Sequence, residues 1–167
     1  MPTTTDKTTD PGAGGDARPQ SSGSEFAIVE IAGGVAAVEW GLVRFADLPA
    51  FHRSARGRVN AAIAERGVTP TGPGVTFTGP PEGGALAIAP GVMVAEAFDP
   101  VGAVTAQVIP AGRAAHFRLE GPYEKLGESW IALNAWKAAQ GLKSTGLGWE
   151  VYSDPQRPIT DLYSMIE

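Results

Sequence analysis

Aligned with itself, the chain repeats. At an offset of 74, residues 60–74 match residues 134–148 at 7 of 15 positions: Asn60/Asn134, Ala61/Ala135, Ala64/Ala138, Gly67/Gly141, Thr71/Thr145, Gly72/Gly146 and Gly74/Gly148. Upstream the better offset is 78, which pairs Ile31/Ile109, Gly34/Gly112, Ala36/Ala114, Ala37/Ala115 and Leu48/Leu126. The two offsets differ by about one helical turn, so one copy is expected to have a longer helix or entry loop. Shared residue order and a shared glycine stop predict two copies of one unit, about 26–98 and 104–166.

Local patterning gives each copy the same element order. Phe26–Ile31 and Val35–Phe45 have the composition of strands, separated by Gly33-Gly34. Asp47 and Pro49 suit a helix start, and Phe51, Ala55, Val59, Ala62 and Ile63 follow at helical spacing up to Gly67. Val75–Thr78 predicts a strand, then a turn over 79–84, then two strands within Ala85–Phe98 split at Pro90-Gly91. In the second copy, Val104–Ile109 and Arg113–Leu119 predict strands. A helix follows Gly121-Pro122, with Tyr123, Leu126, Trp130, Leu133 and Trp136 on its apolar face. Trp149–Ser153 and Thr160–Ile166 complete it. Two strand–helix–strand–strand units predict an α+β fold: a mostly antiparallel sheet with both helices on one face. The uncovered other face is then the expected place for a ligand cleft.

Composition narrows the function. Lys plus Arg total 13 and Asp plus Glu total 18, a formal charge of −5, which disfavours direct binding to nucleic acid. Residues 1–25 hold −2 of that charge, and the remaining −3 is too little for an acidic DNA mimic. Cysteine is absent, so thiolate sites are excluded; only His52 and His116 are present, so histidine-rich metal sites are poorly supplied, and no cofactor is expected. No apolar run approaches the roughly 20 residues of a membrane span, and no export signal precedes the folded part, so a cytoplasmic protein is expected. Residues 1–24 hold one large apolar residue, Met1, and are expected to form a disordered tail. Residues 25–167 are expected to form the domain.

The set Gly121-Pro122-Tyr123, Leu126-Gly127, Gly141 and Trp149-Glu150-Val151-Tyr152 resembles the GyrI-like small-molecule-binding family, the effector-binding domain of many AraC-type and MerR-type regulators. The resemblance implies a duplicated fold with a central cleft for bulky, often cationic organic molecules. It also implies that Glu150 points into that cleft and that an aromatic near Tyr163 lines it. The chain departs from the family pattern at Leu119 and at Thr76–Thr78. Strand alternation puts Glu150 and Tyr152 on one face and Trp149 and Val151 on the other. Assigning the apolar pair to the helix side turns Glu150 and Tyr152 toward the open face, where a carboxylate among aromatic rings suits a cation. Thr76 is the first-copy equivalent of Glu150. Tyr123, Trp40 and His116 complete the candidate ligand-binding set, whereas Trp130 and Trp136 are assigned to packing.

Two functions fit these residues. The first is a standalone domain that captures a bulky amphipathic or cationic small molecule, as sensor or sequestering protein, with any protein partner unspecified. The second, implied by the resemblance alone, is a hydrolase opening cyclopropane-containing genotoxic natural products. Glu150 would then be the general base, with Tyr123 or Tyr152 positioning substrate.

Overall fold

The computed structural model describes residues 25–154 and 156–167; the expected tail, 1–24, lies outside them. Nine strands form one antiparallel sheet: β1 (Phe26–Ile31), β2 (Gly34–Glu39), β3 (Gly41–Arg44), β4 (Pro70–Glu82), β5 (Ala85–Val94), β6 (Val104–Ile109), β7 (Gly112–Glu120), β8 (Ser144–Asp154) and β9 (Ile159–Ile166). Helix α1 (Leu48–Arg66) follows β3 and helix α2 (Leu126–Ala139) follows β7, each preceded by one 3-10 turn. The four-residue difference between the two repeat offsets falls between Leu48/Leu126 and Gly67/Gly141, within the spans that hold the two helices. Each helix stops where Gly67 or Gly141 takes a left-handed conformation, with φ of 67° and 71°.

The strand order is β1-β7-β9-β8-β4-β5-β2-β6, with β3 added beside β5, and it has the same form from either end. At its centre β4 and β8 pair antiparallel, with Thr76 directly opposite Glu150. Three local expectations are corrected. The run Val35–Phe45 breaks at Trp40 into β2 and β3, because both must pair with β5 at different places. Strand β5 runs straight through Pro90-Gly91, since Pro90 sits between the β3 pairing at 85–88 and the β2 pairing at 91–94. Gly91 is required there: a Cβ would lie 1.8 Å from the Ala37 carbonyl oxygen. The 79–84 turn shrinks to Gly83-Gly84, because β4 continues past a register shift to Glu82.

Both helices lie on one face of the sheet, as expected. Val59, Ala62 and Ile63 of α1 pack on Ala37, Val94 and Val104. Leu133 of α2 is fully buried against Ala115, Leu162 and Ile166. The helix-free face is not open. Val75, Phe77, Trp149 and Met165 are buried there together with Ala36, Val38 and Ile109. Val29 and Ile31 of the edge strand β1 pack on the same cluster as Ile109 of the opposite edge strand β6, so the sheet curls onto itself and covers its own concave face. Burying side chains of this size contributes about 1.5–3 kcal/mol each. Among the described residues, no helix is long and apolar enough to cross a membrane.

Candidate functional site

The curl decides where the cleft lies. Glu150 is paired with Thr76 on one side and Leu162 on the other, and Leu162 belongs to the α2 core, so Glu150 faces the helices. The expectation of Trp149 and Val151 under a helix, with Glu150 on the uncovered face, is therefore reversed. Alternation was right about which residues share a face. The side was wrong, because the apolar pair is buried by the sheet's own edges. The cleft opens between α1 and α2, above the central β4–β8 pair, as two adjoining lobes.

The smaller lobe, about 600 Å³, is lined by His52, Arg56, Tyr123, Glu150 and Tyr152 among others. The larger, about 820 Å³, runs along α2 past Trp130 and Asn134 to Ser164 and contains Thr76. Glu150 borders both lobes. Its Oε2 accepts from the Trp130 indole N–H at 2.7 Å, and its Oε1 lies 3.0 Å from the Tyr152 hydroxyl. The same hydroxyl stands 2.7 Å from Thr76 Oγ1, which accepts from Arg56 Nη2 at 3.1 Å. Tyr152 has one proton to give, so donation to an ionised Glu150 requires Thr76 to supply its own proton to Tyr152. A directed chain thus runs from the Arg56 guanidinium through two hydroxyls to the Glu150 carboxylate.

Burial pushes the Glu150 carboxyl above its usual range, partly opposed by the Trp130 and Tyr152 hydrogen bonds and by the Arg56 charge. Burial also raises the Tyr152 phenol, reinforced by the Glu150 charge, so Tyr152 stays protonated. His52 is lowered by burial and by Arg56, which favours the neutral ring. Arg56 is anchored: Nη1 donates to the Gly91 carbonyl at 2.8 Å, Nη2 also donates to the Val75 carbonyl at 3.2 Å, and the guanidinium lies 5.3 Å from the Tyr152 ring centroid.

Of the candidate ligand-binding residues, the structure brings Glu150, Tyr152, Tyr123 and Thr76 together. Tyr123 is exposed at the mouth, edge-on to Tyr152 at 6.1 Å between ring centroids. The other three are elsewhere. Tyr163 stacks on Trp149 at 5.3 Å on the concave face, where the resemblance had put it in the cleft. His116 Nε2 lies 2.7 Å from Asp161 Oδ1 on that same face. Trp40 tilts against Phe77 and donates its indole N–H to Gln107 at 3.1 Å. Parity explains these misses, since Tyr163 and His116 share a face with Trp149 and not with Glu150. No group of metal-ligating side chains occurs among the described residues.

Sequence reasoning missed Arg56 and His52 and assigned Trp130 to packing alone. A signal for two of them was present. The offset of 74 relates Arg56 to Trp130, Thr76 to Glu150, and Gly74 to Gly148. Those two glycines are the floor on which the paired helix side chains lie: a Cβ at Gly74 would meet Arg56 Nη1 at 3.0 Å, and one at Gly148 would meet the Trp130 ring at 3.3 Å.

A curled antiparallel sheet with two helices on its convex face and a mostly apolar cleft between them defines a small-molecule-binding domain. The model of the GyrI-like small molecule binding domain matches residues 54–166, and the chain belongs to that family. The EcmrR C-terminal domain superposes with a TM-score of 0.70 at 20% identity, over 86% of this chain and 97% of that one. EcmrR in its DNA complex gives 0.71 at 21% identity over 86% of this chain, which spans 57% of that longer protein. SAV2435 bound to tetraphenylphosphonium gives 0.60 at 10% identity, covering 86% and 94% of the two chains. A hydrolase from Listeria innocua also gives 0.60 at 10% identity, over 88% and 94%. At these identities the likeness is one of fold. No curated protein sequence matches significantly.

Proposed function

We propose that the cleft binds a single bulky amphipathic organic molecule carrying one cationic centre, and that the chain serves as a capture or sensor domain. The observation that carries this is Glu150: one buried carboxylate at the junction of two largely apolar lobes. A cation seated there restores the charge compensation that burial removes, while the apolar body fills the lobes. The SAV2435 complex supports the choice of tetraphenylphosphonium as probe. Calorimetric titration should show that Glu150→Gln weakens tetraphenylphosphonium about five- to 150-fold, the equivalent of about 1–3 kcal/mol. Neutral triphenylmethanol should lose far less. Because the carboxyl is raised, affinity for the cation should also fall as pH drops through its titration, with proton release on binding below it, where the free carboxyl is protonated. Equal affinities for the wild type and Glu150→Gln would overturn the reading.

The hydrolase reading is favoured by one feature, the same raised carboxyl, which suits a general base. Glu150→Gln would then abolish turnover while leaving substrate affinity almost intact. The symmetrical strand order and the matched Gly74 and Gly148 support reading residues 25–167 as one domain built from two copies of a single unit.

A further inference from the structure

Near its C-terminal end, α2 buries a lysine. Lys137 is 7% exposed, and its Nζ hydrogen-bonds Ser164 Oγ of β9 at 2.5 Å. No carboxylate pairs with it among the described residues, whose ion pairs all lie elsewhere. Ser164 is 4% exposed and lines the lobe. Asn134, one turn before Lys137 on the same helix, lines the lobe too. A buried serine in the wall of a cavity, with an amine held against its hydroxyl and an amide in the same wall, is the arrangement of an activated nucleophile.

We propose that Ser164 and Lys137 form a second, covalent site: a serine–lysine pair that accepts the acyl group of an ester or thioester whose apolar chain lies in the larger lobe. Lys137 Nζ takes the Ser164 hydroxyl proton as Oγ bonds to the acyl carbon, and Asn134 donates to the developing oxyanion. The carbon–leaving-group bond then breaks, and the departing alkoxide or thiolate takes the proton from Nζ. Water then attacks the acyl carbon as Lys137 Nζ takes its proton, the carbon–Oγ bond breaks, and Nζ returns the proton to Ser164 Oγ, which releases the acid and restores the pair. The amine is suited to this, since burial lowers its proton affinity and favours the neutral form. The site shares the larger lobe with the cation reading but uses neither Glu150 nor its charge.

The test is covalent labelling of the full chain with an alkyl fluorophosphonate, followed by intact mass and peptide mapping. One phosphonyl group should appear on Ser164 and be absent in Ser164→Ala. Lys137→Met should slow labelling about 100-fold or more, as expected for loss of a general base. Lys137→Arg, which keeps the positive charge but cannot take up the proton, should do the same. In the wild type the labelling rate should rise with pH through one titration below the ordinary lysine range, and that step should vanish in Lys137→Met. Circular dichroism reports folding of each variant. Absence of label on wild-type Ser164, or wild-type rates in folded Lys137→Met or Lys137→Arg, overturns the proposal. Tetraphenylphosphonium titration of unlabelled protein from the same preparation keeps the two readings apart: binding without label removes only the dyad, and label without binding removes only the cation site.

Discussion

The two sides of the cleft use one backbone frame for different chemistry. On the first, Arg56 reaches from α1 over Gly74 to Thr76; on the second, Trp130 reaches from α2 over Gly148 to Glu150. In both, a helix side chain donates to a strand side chain across a glycine. The charge, however, sits on the helix in one half and on the strand in the other. Arg56 is spent on two main-chain carbonyls and Thr76, so its half is largely braced from within. Glu150 has two neutral donors, the more distant Arg56 charge and burial against it, so its half is left with a demand for positive charge that is only partly met. A symmetrical scaffold thereby presents a single polar anchor, which suits one ligand and not two.

The comparison can be broken most forcefully at the helix anchors. Leu133 alone is fully buried on α2, whereas α1 spreads its burial over Ala55, Val59, Ala62 and Ile63. Leu133→Ala should cost about 2–5 kcal/mol in urea denaturation. Val59→Ala removes two carbons and should cost about 1.5 kcal/mol. A reversed order would show that the α1 side is the weaker clamp.

Smaller effects should separate bracing from binding. Arg56→Met leaves Thr76 and two carbonyls without their donor and should lower stability by about 1–3 kcal/mol. Trp130→Phe removes one donor to a carboxylate, and its main readout should be a further rise of the Glu150 titration and a change in tetraphenylphosphonium affinity. If Arg56→Met alters affinity more than stability, the assignment of roles is inverted.

The buried carboxylates on opposite faces should respond to pH with opposite signs. Glu150 titrates above its unfolded value, so between the two values the native state holds more protons, and this contribution to stability falls as pH rises. Burial alone would raise Asp161, but His116, Arg118 and Ser153 hydrogen-bond it and hold it well below the carboxylate range. Its contribution is present above about pH 4 and is lost as pH falls below that. Thermal melts from pH 3 to 8 should show the acid loss diminished in Asp161→Asn and the high-side slope flattened in Glu150→Gln. The smallest effect is expected for Tyr152→Phe, which cuts the hydroxyl chain between the halves at about 0.5–1.5 kcal/mol.

Much of this was legible along the chain. Helical spacing located both helices, Gly67 and Gly141 marked their ends, and period-two alternation placed Glu150 and Tyr152 on one face. The offset of 74 even pairs Thr76 with Glu150, which the sheet sets directly opposite each other. Those features are local, fixed by the geometry of helix and strand, and a sequence carries them whole. Alternation gives parity but not side. Trp149 and Val151 needed apolar cover, and a flat sheet would give it under a helix; here side chains from β1, β2, β6 and β7 share the cluster that covers them on the other face. Which face closes depends on curl summed over nine strands and on edges more than 70 residues apart, and no local window contains that information. For the same reason the offset of 74 relates Arg56 to Trp130 and Thr76 to Glu150 without showing that each helix residue reaches its strand residue. Their contacts exist only once the helices lie on the face that carries the cleft, and that choice was made by the packing of the whole sheet.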